Sequence, residues 1–245
     1  RHKFSPGALQ LELDFGQENP LDTLIGNGDL FSLENYLYVE DEIDVAENVT
    51  VNVGTHASML AVQDTNYYSL QPRLALNWKL APGLAFKASY ANMVQYVNLL
   101  TNEGLSLPTD LWLPSTRNIR PQRSWQVAAG LATSVADGAV ELSLEGYYKG
   151  MDGLLSYKEG GGFLADLEGN WESQVTQGIG NSYGLEALVQ KKVGRTSGWI
   201  GYTLSWSNRQ FDDLNSGEWF PFTYDRRHDV SVVLTQEFND TWSGA

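Results

Sequence analysis

The chain has 245 residues, no cysteine and a formal net charge of −14. Disulfide staples, thiolate metal sites and cysteine nucleophiles are therefore excluded, and a nucleic-acid phosphate backbone would be repelled. Charged residues make up 19% of the chain, below the roughly 25% usual in soluble domains. Yet mean hydropathy is negative, and no run reaches the roughly 18 apolar residues of a transmembrane helix.

Segments of alternating polarity recur from end to end, and a period of two is the mark of strands. Residues 36–43 read as a strand entering a turn near 46–48. Residues 48–60 leave it with Val49, Val51 and Val53 on one face and Thr50 and Asn52 on the other. In residues 69–80, Leu74, Leu76, Trp78 and Leu80 alternate with Arg73, Ala75, Asn77 and Lys79. The turn Ala81-Pro82-Gly83 leads to Leu84, Phe86, Ala88 and Tyr90, opposed to Lys87 and Ser89. A hairpin follows around Ala136-Asp137-Gly138. Its first arm carries Trp125, Val127, Ala129 and Leu131 on one face; its second alternates Val140, Leu142 and Leu144 with Glu141, Ser143 and Glu145. Another pairs Tyr183, Leu185, Ala187 and Val189 with Ile200, Tyr202, Leu204 and Trp206 around residues 194–197. The last strand sets Val230, Val232 and Leu234 against Asp229, Ser231 and Thr235, and an Asn239-Asp240 turn opens one more. The count is nine full strands and a stub. With residues 1–5 lacking an apolar leader behind them and the chain stopping in an opening strand, both ends are expected to be cuts in a longer protein.

The connections alternate in length. Short turns are expected near 46–48, 81–83, 136–138, 194–197 and 239–240, and longer loops near 61–68, 98–122, 157–180 and 211–226. Outer-membrane barrels have short periplasmic turns and long extracellular loops. The apolar face carries Trp78, Tyr90, Trp125, Tyr148, Trp199, Trp206 and Phe238 toward strand ends, as interfacial girdles require. The opposite face carries Arg73, Asn77, Lys87, Gln126, Glu141, Glu145, Glu186 and Gln190, which a dry core would not tolerate unpaired. The expected fold is all-β: part of an antiparallel transmembrane β-barrel, about ten strands of a larger one, in the bacterial outer membrane.

Four stretches in order carry a family resemblance. They are Ile119-Arg120-Pro121-Gln122-Arg123-Ser124-Trp125; Glu145-Gly146-Tyr147-Tyr148-Lys149-Gly150-Met151 with Leu154-Leu155-Ser156-Tyr157 behind it; Asn181-Ser182-Tyr183-Gly184-Leu185-Glu186 followed by Val189-Gln190-Lys191-Lys192; and Phe220-Pro221-Phe222-Thr223-Tyr224-Asp225-Arg226-Arg227-His228-Asp229-Val230. From about residue 30 onward the chain resembles TonB-dependent outer-membrane receptors, those of Bacteroidetes in particular. Such receptors close about 22 strands around an N-terminal plug. The resemblance implies that residues 1–245 are part of one barrel domain, with the plug and the TonB-contacting segment absent. It also implies energy-dependent uptake of a scarce nutrient: an iron–siderophore, haem, cobalamin, a glycan or a peptide. Partners would be outer-membrane lipid and lipopolysaccharide, the TonB complex through the plug, the ligand, and a surface lipoprotein as a further candidate. A passive porin-like channel and a soluble β-rich carbohydrate-binding module are the alternatives.

Loop aromatics are the candidate ligand-binding residues: Trp112, Trp171 and Trp219, with Phe220 and Phe222 beside them, since indole rings stack on sugars and flat ligands. Arg73, Lys87, Glu141, Glu145 and Glu186 are expected to line the lumen. His2, His56 and His228 lack ligand spacing, and the Asp225–His228 run reads as a loop-to-strand junction. Asp110, Asp166, Glu168, Glu172, Asp212 and Asp213 form no calcium loop, and Gly160-Gly161-Gly162 is no phosphate loop. No catalytic residue, metal site or cofactor is expected, and no enzyme activity.

Overall fold

Alternating polarity leaves the backbone one economical solution, a sheet in which each strand's donors and acceptors are met by its neighbours. The computed structural model describes residues 30–100, 112–159 and 171–245 in full, with the backbone alone of residues 2–4, 9–13, 21–25 and 111. The strands are β1 (His2–Phe4), β2 (Leu9–Leu13), β3 (Leu21–Ile25), β4 (Leu30–Ala46), β5 (Val49–Val62), β6 (Thr65–Ala81), β7 (Leu84–Gln95), β8 (Val97–Leu100), β9 (Leu111–Pro114), β10 (Gln122–Val135), β11 (Val140–Tyr157), β12 (Val175–Lys191), β13 (Thr196–Gln210), β14 (Phe220–Pro221), β15 (His228–Glu237) and β16 (Ser243–Gly244). The main sheet runs β1-β4-β5-β6-β7-β10-β11-β12-β13-β15-β16, with β14 also on β13; β2–β3 and β8–β9 are separate hairpins. All pairings within it are antiparallel. Nine of its strands have between 10 and 18 residues, enough for the 9–11 or so that a tilted strand needs to cross a bilayer. Here the expected nine strands and a stub are found, β16 being the stub.

Register decides which side chains share a face. The row Lys87, Gly130, Glu145, Glu186, Thr203, Asp229 crosses six strands on the polar side. The row Tyr90, Val127, Tyr148, Tyr183, Trp206 crosses five on the apolar side. The apolar side is bare among the described residues: Leu37, Leu70 and Val230 are 66%, 67% and 64% exposed. A sandwich would bury such a face under a second sheet, and water would not leave so large an apolar patch unassociated. Hydrocarbon is the solvent that suits it.

Three bulges, at Asp44/Ala46, Lys79/Ala81 and Asp152/Leu154, bend individual strands. In the third, Gly153 takes φ +70, and a Cβ there would stand 3.0 Å from the Pro121 carbonyl oxygen.

The structure corrects the sequence reading at several points. Residues 61–68 are not a loop: β5 pairs with β6 up to Val62↔Thr65, leaving a turn at Gln63–Asp64. Gln63 adopts φ 52 without a glycine, so nothing in the local sequence announces a tight turn. Trp199 lies on the polar face, opposite Gln190 and Val233, because odd positions of β13 face inward. The 98–122 loop contains the β8–β9 hairpin. Of the stretch 157–180, β11 takes Tyr157 and β12 takes residues 175–180, with a 3-10 turn at Trp171–Gln174 before it. Asp110, Asp166, Glu168 and Gly160–Gly162 lie outside the described residues.

Candidate functional site

Excursions after β7, β11 and β13 leave the same end of the sheet, and the first of them starts where β7 parts from β6. The β6–β7 ladder ends at Arg73↔Ala91. The next residue outward on β6 is Pro72, which has no N–H to donate. The side chain of Gln71 takes over: its Oε1 accepts the Val94 N–H at 3.1 Å. Beyond Val94 the chain turns away and forms the β8–β9 hairpin.

Alternation makes this hairpin amphipathic. Asn98, Leu100 and Leu113 are buried, and Leu100 and Leu113 pack with Ile119, Leu155 and Val175, flanked by Tyr157 and Trp171. On the other face Leu99 and Trp112 stand opposite one another and are 40% and 57% exposed. The segment after β9 is moored to its surroundings on both sides. Toward β5–β6, the Tyr67 hydroxyl donates to the Thr116 carbonyl at 2.6 Å, the Arg117 N–H donates to Gln63 Oε1, and Arg117 pairs with Asp64. Toward β11–β12, Gln177 accepts from the Arg120 N–H (3.1 Å) and donates to the carbonyls of Arg120 (2.9 Å) and Gly153 (3.2 Å). Asn118 donates to Glu172.

Of the candidate binding aromatics, Trp112 is presented on this hairpin. Trp171 is drawn into the apolar cluster beneath it. Trp219 stands apart, 44% exposed, beside a groove of about 600 Å³ that it shares with Trp125, Tyr148, Arg123, Asp152 and Asn181. Phe220 stacks near Phe211 (6.2 Å), and Phe222 lies under the Arg209 guanidinium at 3.3 Å, so both are taken up in loop packing.

Arg73, Lys87, Glu141, Glu145 and Glu186 all fall on the polar face. Lys87, Glu145 and Glu186 border a pit of about 370 Å³, with Gly130 and Gly201 among its lining residues. Gly130 is required there: a Cβ would come within 2.6 Å of the Leu144 carbonyl oxygen. Glu145 and Glu186 are direct cross-strand neighbours, tolerable only where water screens them. Arg73 lies 5.8 Å from the Tyr38 ring, and Glu141 pairs with Lys192 at 2.6 Å.

The Asp225–His228 run is the junction expected. Asp225 accepts the Ser207 N–H (2.9 Å) and pairs with Arg227 (2.9 Å), whose guanidinium lies 4.6 Å over Trp206. His228 Nδ1 meets the Tyr202 hydroxyl at 2.8 Å. Trp206 ends a row of rings through Tyr183, Tyr148 and Trp125, with centroids 5.3, 6.1 and 5.4 Å apart. Among the described residues no three His, Asp or Glu side chains are placed to hold a metal.

Sequence reading missed the polar group beneath the hairpin: His56, Ser58, Gln71 and Tyr96. Each is an ordinary strand residue, and only Pro72 hints that the ladder must break beside them.

Comparison with known proteins agrees with this architecture. The profile of the family described as TonB dependent receptor-like, beta-barrel, matches residues 8–245. No curated protein matches the sequence. Similar solved structures include the ferripyoverdine receptor of the outer membrane of Pseudomonas aeruginosa (14% identity, TM-score 0.58, 91% of this chain and 28% of that one). Others are the alcaligin outer-membrane receptor of Bordetella pertussis (16%, 0.56, 88% and 36%) and the FrpB iron transporter of Neisseria meningitidis (10%, 0.61, 87% and 32%). The chain thus spans about a third of the length of each, and at these identities the likeness is one of fold.

Proposed function

Because the chain belongs to the TonB-dependent receptor-like β-barrel family and is part of an outer-membrane β-barrel, we propose that its role is active uptake of a scarce nutrient. Residues 1–245 form one segment of the barrel wall, working with a plug and the TonB complex contributed elsewhere. The observation that carries this reading is the sheet's two-sidedness: a bare apolar face, a polar face with charged pits, and excursions that leave one end. That end receives ligand, and the polar face lines its path.

Trp112, with Leu99, is the ligand platform and Trp171 acts as a support, while Trp219, whose groove lies beside the outward-facing Trp125 and Tyr148, belongs to the membrane boundary and not to the lumen. Arg73, Lys87, Glu141, Glu145 and Glu186 line the lumen. Ferric siderophores come first among ligands to test, ahead of haem, cobalamin, glycans and peptides, because the similar solved structures are a ferripyoverdine receptor, an alcaligin receptor and an iron transporter. Membrane lipid and lipopolysaccharide face the apolar side, a surface lipoprotein is a candidate companion, and no catalytic role is assigned.

The test is uptake of radiolabelled ferric siderophores by cells carrying the full-length receptor, with and without TonB. Accumulation that requires both supports the proposal. Accumulation without TonB would make it a passive channel, and recovery of the protein in aqueous buffer without detergent would make it a soluble module.

A further inference from the structure

The hairpin's root is tied to a buried polar group on the sheet's polar face. Ser58, Gln71 and Tyr96 are 6%, 3% and 4% exposed. Gln71 Nε2 lies 3.0 Å from His56 Nδ1 and donates to Ser58 Oγ at 3.0 Å. Ser58 Oγ is 2.8 Å from the Tyr96 hydroxyl. Tyr96 packs with Leu60 and Val62, and its carbonyl accepts the Ser115 N–H at 2.7 Å, where the hairpin returns.

We propose that His56 and Gln71 form a proton-operated latch that holds the β8–β9 hairpin in place. The Val94 N–H can meet only an acceptor, so the Gln71 oxygen must face it and the amide nitrogen must face His56. His56 Nδ1 is then an acceptor, and the ring is neutral with its proton on Nε2. A second proton sets N–H against N–H. Turning the amide over does not help, because its NH2 would then confront the Val94 N–H. Gln71 must leave one partner or the other, and a buried polar group left unpaired is costly. Without the His56 contact the amide loses a partner that fixes its orientation, and its ties to Val94 and Ser58 weaken.

The other charged or titratable groups on this part of the face decide where the imidazolium goes. On β4, Tyr38 is opposite His56, Tyr36 stacks on it at 5.5 Å, and Glu40 and Glu34 lie to either side. On β6 stand Tyr67 and Arg73, and from the end of β7 comes Tyr96. Arg73 repels a charged ring, while exposed Glu40, opposite Gly54, attracts it away from Gln71. The latch does not depend on what the hairpin binds.

Hydrogen–deuterium exchange of residues 94–100 and 112–119, in the full-length receptor in detergent micelles, tests this. Rates are compared at about pH 8 and about pH 5 and are corrected for intrinsic pH dependence. The expected result is a loss of protection of about tenfold at the lower pH, the size of one good buried hydrogen bond. His56→Gln supplies an acceptor at both pH values and should hold protection constant. Equal protection of the unmodified receptor at both pH values, or the same loss in His56→Gln, would overturn the proposal.

Discussion

At the scale of single residues, the loop end of the sheet depends on side chains that replace backbone partners. Gln71 stands in for the strand neighbour that β6 loses beside Pro72, and Gln177 clasps Arg120 through both its oxygen and its nitrogen. Tyr67 reaches across to Thr116. Removing that hydroxyl in Tyr67→Phe should cost about 1 kcal/mol of hairpin mooring, read as faster exchange of the Arg117 and Asn118 amides. Trp112 carries the binding prediction. Trp112→Ala should weaken ferric-siderophore binding about tenfold, or ~1.4 kcal/mol, measured by calorimetry, while Trp171→Ala should lower thermal stability more than affinity because that ring is packed beneath the hairpin.

At the scale of elements, bulges and corners determine where strands end and loops begin. The Gly153 bulge gives β11 an extra residue just where Pro121 and Gln177 crowd it. Gly153→Val forces a β-branched residue to positive φ against the Pro121 carbonyl, which should cost about 1–3 kcal/mol and appear as a lower Tm in micelles with strand content retained. The corner at Asp225 ties the return of the last loop to Ser207, Arg227 and the ring of Trp206. It ends the row of rings across β10 to β13, which is expected of side chains at a membrane boundary, where aromatic contacts of about 0.5–1.5 kcal/mol per pair add to interfacial partitioning.

At the scale of the whole molecule, a bare apolar face and a charged opposite face require two different solvents, and an outer-membrane barrel wall supplies both. Single-tryptophan variants in brominated lipid test which face is which. Trp125 and Trp206 should be quenched strongly and Trp199 weakly, since register turns Trp199 inward beside Gln190; strong quenching of Trp199 would invert the assignment of that strand. Much of this was open to reading from the amino-acid order. The period of two specified nine long strands, the turns at Pro82-Gly83 and around Asp137, and the face to which Arg73, Lys87, Glu141, Glu145 and Glu186 belong, because a strand's side chains alternate wherever the strand lies. What alternation cannot convey is which strands touch, or what happens where a ladder stops. The Gln63–Asp64 turn has no glycine to mark it. The inward placement of Trp199 follows from parity, which residue type obscures. The grouping of His56, Ser58, Gln71 and Tyr96 joins positions up to 40 residues apart. Those features depend on inter-strand register and on long-range burial, and only the folded sheet, by bringing remote residues to one place, decides them.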